Sequence, residues 1–186
     1  MNSLLYHPDL TPTNNGHFEN DKYVFFWGGP FSNWFPEEFV MDTPNGSLSF
    51  NCSEQAMMFF KALLFDDEVT ATKIMRERPP RQQKVFGKEV KNFNQKHWHT
   101  KCVDIVTDIL VSKFLANDVM FKILMDTGNK IIVEASPHDR IWGIGMAVND
   151  QNILDESKWD GTNFLGISLM NARAILKGEC DAIEGN

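Results

Sequence analysis

Apolar residues along this chain fall into short β-prone runs and longer runs with helical spacing. Tyr23 to Trp27 and Lys130 to Ala135 are short and apolar and are followed by turn residues, which predicts two strands. Phe39 to Met41 and Leu48 to Phe50 flank a segment that contains Asn-Gly, a dipeptide that tolerates the positive φ angles of a tight turn. These last two runs therefore predict a β-hairpin.

Five longer segments are predicted as helices from their spacing and their flanking residues. Ser53 is expected to be the N-cap of the first, and the second is expected to stop before Pro79. The predicted bounds are 53 to about 65, 67 to 77, 94 to 116, 119 to 125 and 161 to 177. We therefore predict an α+β fold that is mainly α-helical, a single domain with a small sheet of short strands packed among helices.

The composition agrees with one well-cored domain, since 42% of the 186 residues are hydrophobic. We expect a polar N-terminal extension at 1–20, the domain at 21–180 and a C-terminal tail at 181–186. No apolar run approaches the roughly 18 residues of a membrane span, and the amino terminus lacks a signal-peptide centre, so no membrane partner is expected. The three cysteines are scattered without metal-ligand spacing, which predicts a cytoplasmic protein without a metal site.

The formal net charge of −7 argues against a protein that coats nucleic acid without sequence specificity. Nine of the 18 Lys and Arg residues nevertheless fall between Lys73 and Lys101, a segment that we call the basic flank. It is either a solvated helical surface or an anion-binding surface suited to phosphate groups. Under the second interpretation the phosphate-binding candidates are Arg81, Lys84 and Lys88.

Glu54 and Lys61 are seven residues apart in a segment that otherwise resembles a buried helix. At about 100° per residue, seven steps bring Lys61 back to within roughly 20° of the Glu54 face. Glu54 is a candidate general acid or base, and Lys61 is a candidate electrophile-binding or nucleophilic amine whose pKa burial would lower. The alternative is an ion pair between helices, or a lysine that reaches solvent.

The turn after the first predicted strand combines aromatic side chains with two glycines and two hydrogen-bonding residues. Trp27 is a candidate for stacking on a base, and Ser32 and Asn33 are candidates for hydrogen bonds to that base or to a ribose. Gly28 and Gly29 complete this set of binding candidates. The alternative is a turn whose aromatic side chains simply fill the core.

A loop that leaves the strand at Lys130 to Ala135 places several reactive side chains close together in sequence. Glu134 and Asp139 are candidates to hold ribose hydroxyls, and Trp142 is a candidate to cover a base. Gly143 would let the backbone approach a phosphate. Asn163 is a further candidate, because it lies near a predicted helix N-terminus. No histidine pair here has metal-ligand spacing, so a metal site is not expected.

Taken in order, these stretches resemble the NADAR family, named for NAD and ADP-ribose and also called YbiA-like. The resemblance runs from about Tyr23 to Leu176. The matching pieces are Trp27-Gly28-Gly29-Pro30-Phe31-Ser32-Asn33, Ser53-Glu54-Gln55 through Lys61, Lys84 to Val90 with Trp98, Glu134-Ala135-Ser136 through Gly145, and Gly161 through Arg173. One departure is Lys88, which stands after Gly87 where the family usually has arginine, and a lysine cannot reproduce a bidentate grip on phosphate.

The resemblance implies N-glycosidic chemistry on a ribosylated substrate. Its functional positions carry over to Glu54, Lys61, Trp98, Glu134, Asp139 and Trp142. The implied activity is removal of ADP-ribose from guanine, in a nucleotide or as a single-stranded or flipped-out base in DNA. Alternatives are an N-glycosidase acting on ribosylamino-pyrimidine intermediates of riboflavin synthesis and a non-catalytic sensor of NAD or ADP-ribose. No cofactor is expected, and the oligomeric state is not predicted.

Glu54 or Asp139 could stabilise the positive charge that develops at the anomeric carbon when the glycosidic bond breaks. Lys61 offers a second route, in which its amine attacks this carbon and forms an imine that water later hydrolyses. The sequence leaves both routes open.

Overall fold

The computed structural model describes residues 6–43 and 46–184, with side chains described as far as residue 178. Within these residues the strands are β1 (Thr11–Pro12), β2 (Phe18–Glu19), β3 (Tyr23–Phe26), β4 (Phe39–Thr43), β5 (Gly46–Phe50) and β6 (Ile131–Glu134). The helices are α1 (Ser53–Leu64), α2 (Glu68–Arg76), α3 (Pro80–Lys88), α4 (Gln95–Leu115), α5 (Asp118–Met125) and α6 (Phe164–Glu184), with a 3₁₀ turn at Glu156–Lys158. The predicted α+β, mainly helical fold is confirmed.

The chain forms two compact units. Unit 1 contains the described residues as far as Ser32 and from Lys122 onward, and unit 2 runs from Asn33 to Phe121. Unit 1 holds the sheet β1-β2-β3-β6, and unit 2 holds the hairpin β4-β5 and helices α1 to α4.

The sheet of unit 1 is mixed. β1 pairs with β2 and β2 with β3 in antiparallel fashion, whereas β3 and β6 are parallel, with Tyr23 opposite Ile131 and Phe26 opposite Glu134. All four residues of β3 are buried, as expected for an apolar central strand. Residues 11–12 and 18–19 of the expected N-terminal extension contribute β1 and β2.

The core of unit 1 lies against this sheet. One cluster of buried side chains combines residues from the strands and the following loops: Leu10, Tyr23, Phe25, Val133, Ala135, Ile144 and Ile153. α6 packs against β6. The loop that carries the candidates Glu134 to Gly145 thus leaves the carboxyl end of a buried strand, β6.

Unit 2 is built around α1, which contacts α2, α3 and α4. Most of α1 is buried, including Glu54 and the apolar side chains that follow it. The predicted hairpin is confirmed, with Phe39 opposite Phe50 and Thr43 opposite Gly46. Two residues of its predicted turn, Pro44 and Asn45, lie outside the described residues.

Two predictions about helix starts are wrong. The N-cap of α1 is Cys52, with extended backbone (φ −171°, ψ 165°), and Ser53 is already helical. A side-chain cap is dispensable there because the Glu54 N–H donates to the main-chain oxygen of Asn33 at 2.9 Å. α6 starts at Phe164 instead of Gly161, because Asn163 has a left-handed backbone (φ 52°) that a helix cannot include.

The helix α3 was not predicted. From the sequence, the proline pair predicts only the end of the preceding helix, but Pro80 is also the first residue of α3. Proline favours this position because its missing N–H would have no partner inside the helix. Part of the basic flank therefore lies on a helix of its own.

Candidate active site

Glu54 lies in the first turn of α1 and is only 2% exposed. Its N–H donates to the main-chain oxygen of Asn33, which fixes the start of α1 against the segment before β4. A carboxyl group buried this deeply is costly for the fold unless it is compensated or used in function. Glu54 therefore remains a strong candidate for the chemistry.

Lys61 lies two turns further along α1 and is half-buried. Its Nζ donates a hydrogen bond to the main-chain oxygen of Gly87 at 2.7 Å and lies 4.1 Å from the ring centroid of Phe93. The ring of Trp98, which is buried, has its centroid 5.9 Å from the same nitrogen. The amine is thus held between a backbone carbonyl and two aromatic rings.

Burial lowers the pKa of Lys61 below its usual value, and the charge of Glu54 opposes this shift. The two side chains therefore interact electrostatically, as their seven-residue spacing indicates. A lowered pKa increases the neutral fraction of the amine, which is the form that can act as a nucleophile or base. This environment favours a chemical role for Lys61 over the alternative in which its side chain extends into solvent.

The phosphate-binding candidates Arg81, Lys84 and Lys88 share one face of α3, since they are three and seven residues apart. Arg81 and Lys88 are exposed, and Lys84 is half-buried, with its Nζ 5.8 Å from the ring centroid of Trp34. An adjacent face of α3 is buried and includes Gly87. One helix therefore carries the basic face and also the carbonyl that holds Lys61.

Asn33 is 6% exposed and lies beside α1. Its Nδ2 lies 3.9 Å from the sulfur of Met57, and its Oδ1 has no hydrogen-bond partner among the described residues. A buried carbonyl oxygen without a partner is the arrangement expected where a water or a ligand group completes a site.

In unit 1, Trp27 is 62% exposed, and its ring centroid lies 6.0 Å from that of His138 in an edge-on arrangement. The turn that presents it uses positive φ angles at Gly28 (119°) and Gly29 (66°). The Ser32 N–H closes this turn by donating to the main-chain oxygen of Gly29 at 3.0 Å. The glycines thus shape the turn, and Trp27 offers an open aromatic surface.

Asp139 organises the loop after β6. Its Oδ1 accepts hydrogen bonds from the N–H groups of Ile141 (2.9 Å) and Trp142 (2.8 Å). The half-buried ring of Trp142 packs edge-on against Phe164, with centroids 6.2 Å apart. This carboxylate therefore has a demonstrable role in holding Trp142, beside any role towards a substrate.

Gly143 is required by close packing of the same loop. A Cβ placed there would lie 2.9 Å from the main-chain oxygens of Asp139 and Glu134. The close approach of these two carbonyl oxygens therefore explains why position 143 is a glycine.

Asn163 joins the start of α6 to β6. Its Oδ1 accepts a hydrogen bond from the Glu134 N–H at 3.0 Å, and its Nδ2 donates to the main-chain oxygen of Ile132 at 2.9 Å. The side chain is buried, and both ends of its carboxamide are engaged with β6. Asn163 thus positions Glu134, and its own carboxamide is committed to the strand.

Comparison with known proteins identifies the family. The model of the NADAR domain matches residues 25–177. The chain belongs to the NADAR domain family. The match spans most of the chain as one family domain, which confirms the resemblance drawn from the sequence motifs.

Two relatives and one solved structure illustrate the family. The chain is 43% identical over 165 residues to N-glycosidase R617 of Acanthamoeba polyphaga mimivirus, covering 83% of this chain and 96% of R617. It is 26% identical over 186 residues to the chloroplastic riboflavin biosynthesis protein PYRR of Zea mays, covering 94% of this chain and 27% of PYRR. The NMR structure of the E. coli protein YbiA has the same fold, with a TM-score of 0.68, 23% identity and coverage of 90% and 92%.

The similarity to R617 extends over nearly the whole of that protein. This NADAR chain is accordingly a hydrolase of N-glycosyl bonds. The predicted enzyme class is therefore confirmed.

Lys113 is a residue of this NADAR domain that the sequence reasoning missed. It lies in α4, is 0% exposed, and its Nζ is 5.6 Å from the ring centroid of Phe35. Burial lowers its pKa to about 7, although the charges of Cys52 and Glu37 oppose the shift. A signal was present in the sequence, because Lys113 follows Ile109 and Leu110 at the helical spacing of an apolar face.

Within residues 6–43 and 46–184, no helix is long and apolar enough to cross a membrane. No group of three or more His, Cys, Asp or Glu side chains in the same part of the chain is placed to hold a metal ion.

Proposed function

We propose that this protein removes ADP-ribose from guanine, either in a nucleotide or as a base in DNA. The observation that carries the proposal is the double role of α3, which carries three cationic side chains on one face, two of them exposed and one half-buried, and uses its Gly87 carbonyl to hold Lys61. A diphosphate group on the basic face would place a negatively charged substrate close to the Glu54–Lys61 pair.

Hydrolysis breaks the bond between C1′ of the ribose and the guanine nitrogen. The base leaves with the bonding electrons and takes up a proton, while positive charge develops at C1′. We assign stabilisation of this charge to the buried carboxylate of Glu54, in analogy to the carboxylates of glycosidases. In the direct route, water then bonds to C1′ and gives a proton to a nearby base.

Lys61 provides the second route. Its neutral amine forms a bond to C1′ as the bond to guanine breaks, and the amine loses a proton. Opening of the ribose ring transfers electrons to the ring oxygen and leaves a protonated imine between Lys61 and C1′. Water adds to this imine, which releases ADP-ribose and restores the lysine.

For unit 1 we assign stacking on a nucleobase to Trp27, since its indole is an exposed aromatic surface beside a turn that two positive-φ glycines shape. Substitution of Trp27 by alanine should raise KM with little effect on kcat, because stacking contributes equally to the ground state and the transition state.

The second candidate function is N-glycosidase activity on a ribosylamino-pyrimidine phosphate. It is favoured by the similarity to PYRR, which is named a riboflavin biosynthesis protein. A substrate with a single phosphate would use less of the three-residue basic face. Neutral substitution of Arg81 should therefore weaken turnover of an ADP-ribosylated substrate more than turnover of a monophosphate.

The test is incubation with a guanine-ADP-ribosylated oligonucleotide, an ADP-ribosylated guanine nucleotide and a ribosylamino-pyrimidine phosphate, with measurement of the released sugar. We expect release from the guanine substrates, and loss of at least 100-fold in kcat for Glu54→Gln. The exposed Glu89 supplies the matched control Glu89→Gln, which should retain activity. Release from the pyrimidine substrate alone would overturn the proposal in favour of the second candidate.

A further inference from the structure

Asp67 is a buried carboxylate of unit 2 that the proposed chemistry does not use. It lies between α1 and α2 and is 5% exposed. As the N-cap of α2, it accepts a hydrogen bond from the Thr70 N–H on Oδ1 at 3.1 Å. Capping a helix in this way needs one oxygen. The second oxygen, Oδ2, accepts from the N–H of Lys91 at 2.9 Å, so Asp67 also binds a part of the chain 24 residues away.

The main chain of Asp67 is fixed to the end of α1, close to Lys61. Its N–H donates to the main-chain oxygen of Ala62 at 2.9 Å, and the Asp66 N–H donates to that of Leu63 at 3.1 Å. Asp66 has a left-handed backbone (φ 56°), and together these features form a Schellman motif. Ala62 directly follows Lys61. The helix that carries the amine therefore also sets the position of the Asp67 carboxylate.

The Lys91 N–H belongs to a segment with little packing of its own. Residues 91–97 are all exposed. Asn92 has a left-handed backbone (φ 55°), which turns the chain sharply directly after Lys91. Because such an exposed turn buries few apolar contacts, its position depends on its hydrogen bonds. The hydrogen bond to Asp67 therefore fixes the place from which the chain continues to Phe93.

Phe93 covers the amine of Lys61. Its ring centroid lies 4.1 Å from Nζ, and the same ring packs edge-on against Phe65, with centroids 5.2 Å apart. Three further groups face the amine: the Gly87 carbonyl of α3, the Trp98 ring of α4 and, from its own helix, the charge of Glu54.

The Phe93 ring displaces water that would otherwise solvate the ammonium form of Lys61. A ring face attracts an ammonium group, but this attraction is smaller than the hydration that burial removes. The ring therefore contributes to the burial that lowers the pKa of Lys61.

We propose that Asp67 is a positioning residue for Lys61. Its carboxylate joins the end of α1 to the segment after α3 and so keeps the Phe93 ring on the amine. The hydrogen bond from the Lys91 N–H also lowers the pKa of Asp67, so the carboxylate stays charged at neutral and alkaline pH. The inference rests on the proposed function, because it concerns the reactivity of the amine that the imine route uses.

The test is labelling of the full chain with acetic anhydride, which acylates neutral amines, between pH 6 and 11. Mass spectrometry gives the rate at Lys61, and hence the pH midpoint of this amine, without any substrate. Asp67→Ser keeps a short capping acceptor for Thr70 but cannot reach Lys91, so it should move the Lys61 midpoint to higher pH. In assays of released sugar, kcat should fall about fivefold or more at pH 7 and recover at pH 10, with a smaller change in KM.

Phe93→Leu removes the ring itself and should produce the same two changes. Since both substitutions act through one contact, the double variant Asp67→Ser/Phe93→Leu should be no more impaired than Phe93→Leu alone. The matched control is Asp155→Ser, the same change at another capping aspartate. The Asp155 carboxylate accepts from the N–H and the hydroxyl of Ser157, two residues away, so this variant should keep the wild-type midpoint and kcat.

A less stable Asp67→Ser variant with an unchanged Lys61 midpoint would show a structural role alone and overturn the inference. If Asp67→Ser does not fold, two measurements still decide. Fast hydrogen exchange of the Lys91 amide in the wild type, or an unchanged Lys61 midpoint in Phe93→Leu, overturns the inference. A shifted midpoint in Asp67→Ser without any change in kcat would retain the positioning role and reject the chemical role that the proposed function gives to Lys61.

Discussion

Lys61 and Gly87 are joined by a hydrogen bond of 2.7 Å from the lysine Nζ to the glycine carbonyl oxygen. This bond ties the reactive face of α1 to α3. A carbonyl oxygen cannot take the proton from the amine at ordinary pH, so the bond orients the nitrogen without fixing its charge. The amine is therefore positioned in both its protonated and its neutral form.

A chemical role of Lys61 predicts a particular pH dependence. Burial lowers the pKa of this amine below 10.5, so its neutral form becomes populated at a lower pH than in an exposed lysine. If the amine attacks C1′, kcat should rise with pH up to that lowered pKa and then level off. Stopped assays of kcat between pH 6 and 10 measure this profile, with the exposed Lys122→Met variant as control.

Lys61→Met should abolish activity, and borohydride should trap a covalent adduct of ADP-ribose on Lys61 of the wild type. A wild type that turns over substrate without any trapped adduct would exclude the imine route and leave the direct attack of water.

Gly87→Ala should damage both stability and activity. A Cβ at this position would lie 1.9 Å from the sulfur and 2.8 Å from Cγ of Met58, so α1 and α3 must separate or Met58 must repack. Such overpacking costs about 1–3 kcal/mol in the free energy of unfolding. Movement of the Gly87 carbonyl also releases Lys61, so kcat should fall. Urea unfolding and steady-state kinetics measure the two effects.

The control for this substitution is Gly178→Ala. Gly178 is exposed in α6 and a Cβ there meets no atom within 4 Å, so alanine should be neutral or stabilise the helix by roughly 0.5–1 kcal/mol. The double variant Gly87→Ala/Met58→Ala removes the clash and should recover part of the lost activity. A single Gly87→Ala variant with normal stability would show that the two helices tolerate wider spacing.

The site was predictable where it depends on local spacing. Glu54 and Lys61 share a helix, so the sequence places them on one face, and their electrostatic interaction agrees with this. The Gly87 contact was not predictable, because it depends on how α3 packs on α1. α3 itself was missed because a proline pair can end one helix and start the next.

The role of Asn163 shows the same limit in unit 1. Its position near a helix start suggested an anion site, but its carboxamide is taken up by the backbone of β6, which is 29 to 31 residues away in sequence. Lys113 shows a different limit. Its spacing places it on an apolar helix face, but its complete burial depends on how the surrounding residues pack, which the sequence does not show.

The role of Asp139 can be tested by a substitution that removes its charge and keeps its shape. Its Oδ1 accepts two backbone hydrogen bonds, and asparagine can keep an acceptor at that position. If the charge is needed for chemistry, Asp139→Asn should fold normally but lose kcat at least tenfold. If the residue only shapes the loop, Asp139→Asn should be active and Asp139→Ala should raise KM. Thermal unfolding and steady-state kinetics of both variants decide between the two.

Asn163→Ala should destabilise the protein by about 2–4 kcal/mol, because it removes one buried and one partly buried hydrogen bond and leaves their backbone partners unpaired. Alanine must also adopt the positive φ of 52° at this position. Asn163→Gly loses the same hydrogen bonds without that strain, so it should be about 1 kcal/mol less destabilising than alanine. Equilibrium urea unfolding measures the difference, and equal destabilisation by both would mean that the backbone conformation is not strained.

The lowered pKa of Lys113 predicts that the free energy of unfolding rises above neutral pH. Its pKa is lowered from 10.5 to about 7 in the folded protein, so between these values the unfolded chain binds one more proton. The free energy of unfolding should therefore increase with pH, by up to about 1.4 kcal/mol per pH unit from this group. Lys61, whose pKa is also lowered, contributes with the same sign.

The interval from pH 7 to 8.5 limits the contributions of histidine and cysteine side chains. The pKa of His17 is lowered from 6.5 in the folded protein, so most of its contribution is already present at pH 7. The thiols of Cys52 and Cys102 have pKa values raised above 9, so they reduce stability only at higher pH. Urea unfolding of the wild type should show a gain of about 1–2 kcal/mol across the interval, and Lys113→Met should lose most of that gain. An unchanged slope in Lys113→Met would mean that this amine is not the group that titrates, whatever the variant's stability at pH 7.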